Sequence, residues 1–343
     1  MPFGIERRPW VMHTAEINRL RQTKQPRRRG VMRRVLVRLA TVFAGTYALF
    51  LLAIPLWSFA WDLQPPSLPP RGKAVAIDAA TTLNVLEQGH GPPVVLVHGS
   101  PGSGYESARL MDELAKQGRR AIAYDRVGWG YSARRRDDGL GYSIEANARD
   151  LLGLLAKLDV KEVSLVGWSY GGAIAMEAAA TGASRIGRVV LISSIGPEQQ
   201  EPAPWIVRSL LASPSQIWLH SAPPAMDALA SGLTGIAAGD GAAPPWWVKL
   251  TAANLAAPGT LCTLATEARR PGHAQLRIEA IERPVLMIHA RGDPLVPFVA
   301  SERLHARSHQ RSTLTPVAAD SHMLVVTHPK LVADEIVEFE GRF

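Results

Sequence analysis

The chain has 343 residues, 38 Lys/Arg against 30 Asp/Glu, and 47% apolar residues, enough to bury one core of ordinary domain size and leave an appendage. Eleven Lys/Arg fall within residues 1–38 against Glu6 and Glu16, a net +9, so of the overall +8 the remaining chain carries −1. The basic balance therefore belongs to one terminal flank, which argues against a nucleic-acid groove on the folded part.

Residues 1–38 read as a basic cytoplasmic segment. Leu39 to Trp61 then runs 23 residues without a charge, long enough to cross a hydrocarbon core of about 30 Å as a helix. Trp57 and Trp61 suit an interfacial aromatic belt, and the Arg27–Arg38 cluster favours a cytoplasmic N-terminus. The expectation is a single-pass signal anchor in the inner (plasma) membrane, with the following domain on the non-cytoplasmic side. A cleaved export signal is the alternative, because Arg33-Arg34 precedes the apolar run and Ser58-Phe59-Ala60 resembles a cleavage site. Residues 62–72 carry four prolines and read as a semi-rigid linker.

From residue 73 onward, short apolar segments alternate with helical patterns. Strands are expected at Ala74–Ile77, Thr82–Glu87, Val94–His98, Ala121–Asp125, Val163–Trp168, Val189–Ser194, Pro284–Ala290 and Ser312–Val317, with a helix over Ile144–Leu158. That alternation predicts an α/β domain over 73–343 with a mostly parallel sheet flanked by helices. The interval between the sixth and seventh strands is too long for a plain crossover, so about 198–282 is expected to form an inserted helical cap. Its Trp205, Trp218, Trp246 and Trp247 and its few acids before Glu267 suit a lid over an apolar substrate. Cys262, the one cysteine, forms no intrachain disulfide and is assigned to packing in the cap.

Gly167-Trp168-Ser169-Tyr170-Gly171 follows the apolar run Val163–Val166 directly. This is the pattern of a serine nucleophile on a crowded strand-to-helix turn, with a helix N-terminus beside the developing oxyanion. An activated serine also needs a base and an acid that orients the base. Asp293 follows the strand Pro284–Ala290, and His322 follows the last strand. Asp320 is the rival acid, though its closeness to His322 suits a local turn. His289 reads as a hydrogen-bonded core residue and His328-Pro329 as a helix start. The glycine-rich turn after Val94–Val97 places the Ser100 N–H beside that of Tyr170 as a pair of oxyanion donors, with the His98 side chain ordering the loop. Asp125 and Arg126 read as braces near the site. Trp129, Tyr131 and Trp205 are candidates for the pocket wall, and Trp168 for packing. The histidines show no metal-ligand spacing, so neither metal nor cofactor is expected.

His98–Gly102, Asp125–Ser132, Gly167–Gly172, Gly292-Asp293 and His322 stand in the order found in the α/β-hydrolase fold, and over about residues 75–340 the chain resembles a capped, esterase-like serine hydrolase. The resemblance implies the roles Ser169 nucleophile, His322 base and Asp293 acid, with Ser100 and Tyr170 as oxyanion donors. Serine at the nucleophile position departs from the aspartate of epoxide hydrolases and haloalkane dehalogenases. His98–Gly102 is similar to the loop of proline iminopeptidases, whose cap acids for a substrate amine have few counterparts here. The function expected is hydrolysis of a small apolar carboxylic ester through an acyl-enzyme. The alternatives are an acyltransferase or carbon–carbon bond hydrolase with the same triad, or a catalytically silent membrane receptor or scaffold.

Overall fold

A computed structural model describes residues 33–50, 52–53, 68–135, 140–196, 223–239, 241–257, 259–269, 276–308 and 312–343. The chain divides into two units, Met1–Trp57 and Ser58–Phe343. In the first, residues 33–50 and 52–53 are helical, and apolar side chains such as Leu39, Phe43 and Leu49 are exposed. Part of the expected 39–61 span lies outside the described residues; among those described, no helix is long and apolar enough to cross a membrane.

The second unit is built on one eight-stranded sheet. Its strands are β1 (Lys73–Ala76), β2 (Thr82–Gln88), β3 (Pro93–Val97), β4 (Arg120–Tyr124), β5 (Val163–Trp168), β6 (Ile186–Ile192), β7 (Val285–Ala290) and β8 (Ser312–Val317). They lie in the order β1-β2-β4-β3-β5-β6-β7-β8. β2 pairs antiparallel with β1 and β4, and every later pairing is parallel. The helices are α1 (Ala108–Lys116), α2 (Ile144–Lys157), α3 (Tyr170–Ala180), α4 (Pro223–Ala238), α5 (Pro245–Ala256), α6 (Thr260–Arg269), α7 (Val299–Arg307) and α8 (Pro329–Glu340), with a single turn at Leu324–Thr327.

The central strands read as unbroken apolar runs because both faces are covered. Successive side chains alternate between the faces: Val95, Val97 and Leu165 pack with Leu151, Leu154 and Ile174, whereas Val94, Leu96 and Val166 pack with Leu110, Leu114 and Ile336. α2 starts where Ser143 Oγ accepts the Ala146 N–H at 3.2 Å, an N-cap. β6 begins at Ile186, three residues before the expected Val189. Gly187 and Arg188 masked the extension, and the pairing shifts register there, with Val163 opposite Ile186 and Ser164 opposite Arg188.

The interval between β6 and β7 contains α4, α5 and α6. Residues 197–222, with Trp205 and Trp218, and the Cys262 side chain lie outside the described residues. The segments after β3, β4, β5, β7 and β8 carry His98–Ser100, Asp125-Arg126, Ser169, Asp293 and His322. All five leave carboxyl ends of parallel strands, the edge where open α/β sheets bind ligands.

Candidate active site

Ser169 joins β5 to α3 with φ 54° and ψ −120°, a strained backbone for a non-glycine residue. Its N–H donates to Ile192 O at 3.0 Å, and its carbonyl accepts the Gly172 N–H at 3.0 Å. The flanking glycines are required by close approach: a Cβ at Gly167 would lie 2.3 Å from Gly171 O, and one at Gly171 would lie 2.2 Å from Val97 O. The serine is thus carried at the start of α3, whose first residue is Tyr170.

His322 Nδ1 lies 2.8 Å from Asp293 Oδ2. Asp293 Oδ1 accepts the backbone N–H groups of Leu295 at 2.9 Å and Val296 at 2.8 Å. Burial pushes the Asp293 carboxyl up, but hydrogen bonds from His289, His322 and the Val296 N–H hold it well below the usual carboxylate range. The carboxylate stays ionised and accepts from Nδ1–H, which leaves Nε2 of a neutral His322 as the basic nitrogen. Asp320 does not share this role; its carboxylate lies against Gly292, where a Cβ would meet Oδ1 at 1.8 Å. His289 is a buried core residue, accepting from or donating to Ser301 Oγ at 2.6 Å and reaching Val296 O at 2.9 Å. It also brings Nε2 within 3.3 Å of Asp293 Oδ2, a contact that the sequence reading missed.

Ser169 and His322 open on one cavity of about 210 Å³. Ser100, Pro101 and Trp168 line its core side, and Leu233, Thr234, Ala237, Trp247 and Thr251 its cap side; Leu295, Val296 and Met323 complete the described wall. Two expectations need correction. Trp168 lines the cavity instead of only packing, because its Nε1 donates to His322 O at 3.0 Å and so fixes the ring beside the imidazole. Trp129 and Tyr131 are not part of the described wall. Trp129 is buried behind it with Nε1 donating to Glu267 Oε1 at 3.0 Å, and Tyr131 turns its hydroxyl to Leu68 O at 3.4 Å, with Arg71 over the ring. Trp205 lies outside the described residues.

The loop after β3 is fixed from behind. His98 Nδ1 lies 2.8 Å from Gly99 O, and the Arg126 N–H donates to His98 Nε2 at 3.0 Å. A carbonyl only accepts and an amide N–H only donates, so His98 carries its proton on Nδ1. Burial, then the neighbouring Arg126 charge, push its pKa well below the usual histidine range. Arg126 Nη2 also donates to Gly99 O at 2.9 Å, while Nη1 pairs with Glu267 Oε1 at 2.7 Å. Glu267 further accepts the Ser100 hydroxyl. This cap acid escaped the sequence reading because Arg126 stands 141 residues away. Among the described residues no group of three or more His, Cys, Asp or Glu side chains is arranged to hold a metal ion.

The family profile described as "alpha/beta hydrolase fold" matches residues 92–216. A 2-hydroxy-6-oxo-2,4-heptadienoate hydrolase of Pseudomonas putida is 40% identical over 116 residues, covering 33% of this chain and 41% of that protein. The chain thus spans less than half the length of this curated relative. Among solved structures, a bromoperoxidase from Bacillus anthracis superposes with TM-score 0.64 at 26% identity, covering 78% of this chain and 99% of that one. A putative aryl esterase from Burkholderia cenocepacia shares the fold with TM-score 0.67 at 22% identity, covering 79% and 98%. The parallel sheet, the serine on its strand-to-helix turn and these likenesses together show that the chain has the α/β-hydrolase fold.

Proposed function

We propose that this protein is a serine hydrolase that cleaves a small, uncharged carboxylic ester with an apolar acyl or alkyl part. The observation that carries the reading is the opening of Ser169 and His322 on one cavity, with His322 Nδ1 bonded to an ionised Asp293. Ser169 Oγ attacks the ester carbonyl carbon while His322 Nε2 takes its proton. The oxyanion is held by the N–H groups of Ser100 and Tyr170, each such donor contributing on the order of 3 kcal/mol to the transition state. His322 then protonates the departing alkoxide, leaving an acyl-enzyme. Water, deprotonated by the same nitrogen, hydrolyses this to the carboxylic acid. Asp293 fixes the Nδ1–H tautomer and stabilises the imidazolium formed in each half-reaction.

The cavity wall supports an uncharged substrate. Its described residues include no Lys or Arg, and Arg126, the one buried Lys or Arg among the described residues, is paired with Glu267. A dienoate such as that named for the Pseudomonas putida relative brings a carboxylate that the described residues of this wall leave without a counter-ion. Glu267 is equally committed, which argues against a peptidase that anchors a substrate amine on a cap acid. The volume of about 210 Å³ falls below the ~300–1,000 Å³ of pockets for drug-sized ligands, which favours short acyl groups.

The N-terminal unit is proposed to hold the domain at the inner membrane, N-terminus cytoplasmic and hydrolase domain outside. Support comes from the uncharged Leu39–Trp61 run after a flank of net +9 and from the exposed apolar side chains of residues 35–52. Retention of the full-length chain in the pellet after alkaline extraction supports the anchor; a soluble product starting near Trp61 overturns it.

The chemistry is tested by fluorophosphonate labelling of the full-length protein with Ser169→Ala as control, followed by an acyl-length series of 4-nitrophenyl esters. Labelling lost in the variant, with turnover highest for short acyl groups, is the expected result. Full ester turnover by Ser169→Ala overturns the assignment.

A further inference from the structure

The cap meets the core beside the β3 loop through a polar seam. α6 presents Thr260, Thr263 and Glu267 at i, i+3 and i+7, one face of the helix, and all three are buried. Arg134 Nη2 donates to Thr260 Oγ1 at 3.4 Å, Thr263 Oγ1 donates to Gly128 O at 3.1 Å, and Glu267 accepts from Arg126 Nη1, Trp129 Nε1 and Ser100 Oγ. A buried ion pair is weak evidence for stability, because desolvation offsets much of the attraction. The placement of this one is informative instead. Arg126 reaches from Glu267 to Gly99 O, while Glu267 itself takes the Ser100 hydroxyl. One cap carboxylate therefore holds both residues of the Gly99–Ser100 peptide, Ser100 directly and Gly99 through Arg126.

We propose that Glu267 is a positioning residue that makes the Ser100 backbone donor depend on cap docking, so that the cap governs turnover as well as entry of substrate. The inference rests on the serine-hydrolase reading above. In a trans peptide the C=O and the following N–H point in opposite directions. Drawing Gly99 O back onto Arg126 and His98 therefore turns the Ser100 N–H to the other side, towards the cavity that Ser100 lines. When α6 lifts, Arg126 loses its counter-charge and Ser100 loses its acceptor, so the peptide keeps its bond to His98 but loses the restraint from the cap side. Attack by Ser169 is then confined to the closed form, in which the ester is already held beneath the cap.

The test uses the full-length protein and two substitutions. Ser100→Ala removes the hydroxyl while keeping the backbone N–H and the Arg126–Glu267 pair, and Glu267→Gln keeps the volume while removing the charge. Steady-state kcat and KM on a short-chain 4-nitrophenyl ester are measured per fluorophosphonate-titrated site, alongside Tm. The expected result is a fall in kcat of roughly tenfold for Ser100→Ala and approaching the ~10²-fold loss of one oxyanion donor for Glu267→Gln, with KM within about twofold. Unchanged kcat per titrated site in Ser100→Ala, with or without a lowered Tm in Glu267→Gln, overturns the proposal. If Glu267→Gln does not fold, Ser100→Ala alone decides. A wild-type protein that neither labels nor turns over overturns the hydrolase reading and this inference together, whereas an active wild type with unaffected variants overturns only the inference.

Discussion

His289 Nε2 lies 3.3 Å from Asp293 Oδ2, so a second, buried histidine shares the carboxylate oxygen that holds His322 Nδ1. Nε2 also meets Val296 O at 2.9 Å and therefore carries the hydrogen, which leaves Nδ1 to accept from the Ser301 hydroxyl at 2.6 Å. The one Nε2–H is shared between Val296 O and this oxygen, and both imidazoles contribute to keeping the carboxyl ionised.

Replacing His289 by leucine removes one donor from Asp293 and keeps the carboxylate. A charge-assisted hydrogen bond is worth about 1.5–3 kcal/mol, only part of which reaches the transition state, so kcat should fall by roughly tenfold. Asp293→Asn reverses the tautomer preference of His322 and should cost about 10⁴-fold. Parallel kcat measurements check the ranking. A loss in His289→Leu as large as in Asp293→Asn would show that His289 acts as more than a support.

Ser169→Gly separates stability from activity at one position. A φ of 54° with ψ −120° strains a residue bearing a Cβ, at a cost of order 1–3 kcal/mol. Glycine relieves that strain and removes the nucleophile. The expected outcome is an inactive protein whose urea midpoint rises above that of Ser169→Ala; an equal or lower midpoint removes strain as the description of the turn.

Much of this arrangement is legible in the sequence because it is local. β5 and β8 appear at their expected bounds, since short apolar runs between turn residues leave one reading. The glycines around Ser169 mark a turn that only they fit. What escaped is carried by contacts between distant segments. Glu267 looks like an ordinary helical acid until Arg126 and Ser100 are seen beside it, although Thr260, Thr263 and Glu267 form a polar stripe that spacing alone would reveal. Trp129 and Trp168 exchanged roles for the same reason: their sequence neighbours are alike, and the partners that separate them, Glu267 and the His322 carbonyl, come from elsewhere in the chain.

Glu106 gives the protein a stability that falls with pH. It is buried and accepts from Trp247 Nε1 at 3.2 Å; burial pushes its carboxyl up to about 8, against the pull of the Trp247 and Ser103 N–H groups and Arg126 and with the push of Asp125. In the folded state it holds a proton that the unfolded chain releases near pH 4.5. Between those values the unfolded state binds fewer protons, so stability declines as pH rises, and the slope vanishes above about 8. Glu106→Gln removes this titration. Urea unfolding at pH 5, 7 and 9 should show a decline in the wild type that is flattened in the variant, a difference of a few kcal/mol by pH 9; parallel profiles would exclude Glu106 as the source.

Thr251 presents the reverse case, a polar group whose removal should help the fold. It lines the cavity from α5, and its buried hydroxyl has no hydrogen-bond partner among the described residues. Thr234, facing the same cavity from α4, instead donates to Ala230 O at 2.7 Å, four residues back. An unsatisfied buried hydroxyl costs about 1–3 kcal/mol, and valine matches threonine in shape, so Thr251→Val should raise stability by about 1 kcal/mol. The same exchange makes the wall more apolar, so kcat/KM for an unbranched acyl ester should hold or rise, while that for a matched ester with an ether oxygen in its acyl chain should fall. Thr251→Ser keeps the hydroxyl and should retain the wild-type ratio between the two esters. A ratio unchanged in Thr251→Val would mean that the hydroxyl never meets the substrate, and the gain in stability would then be its whole effect.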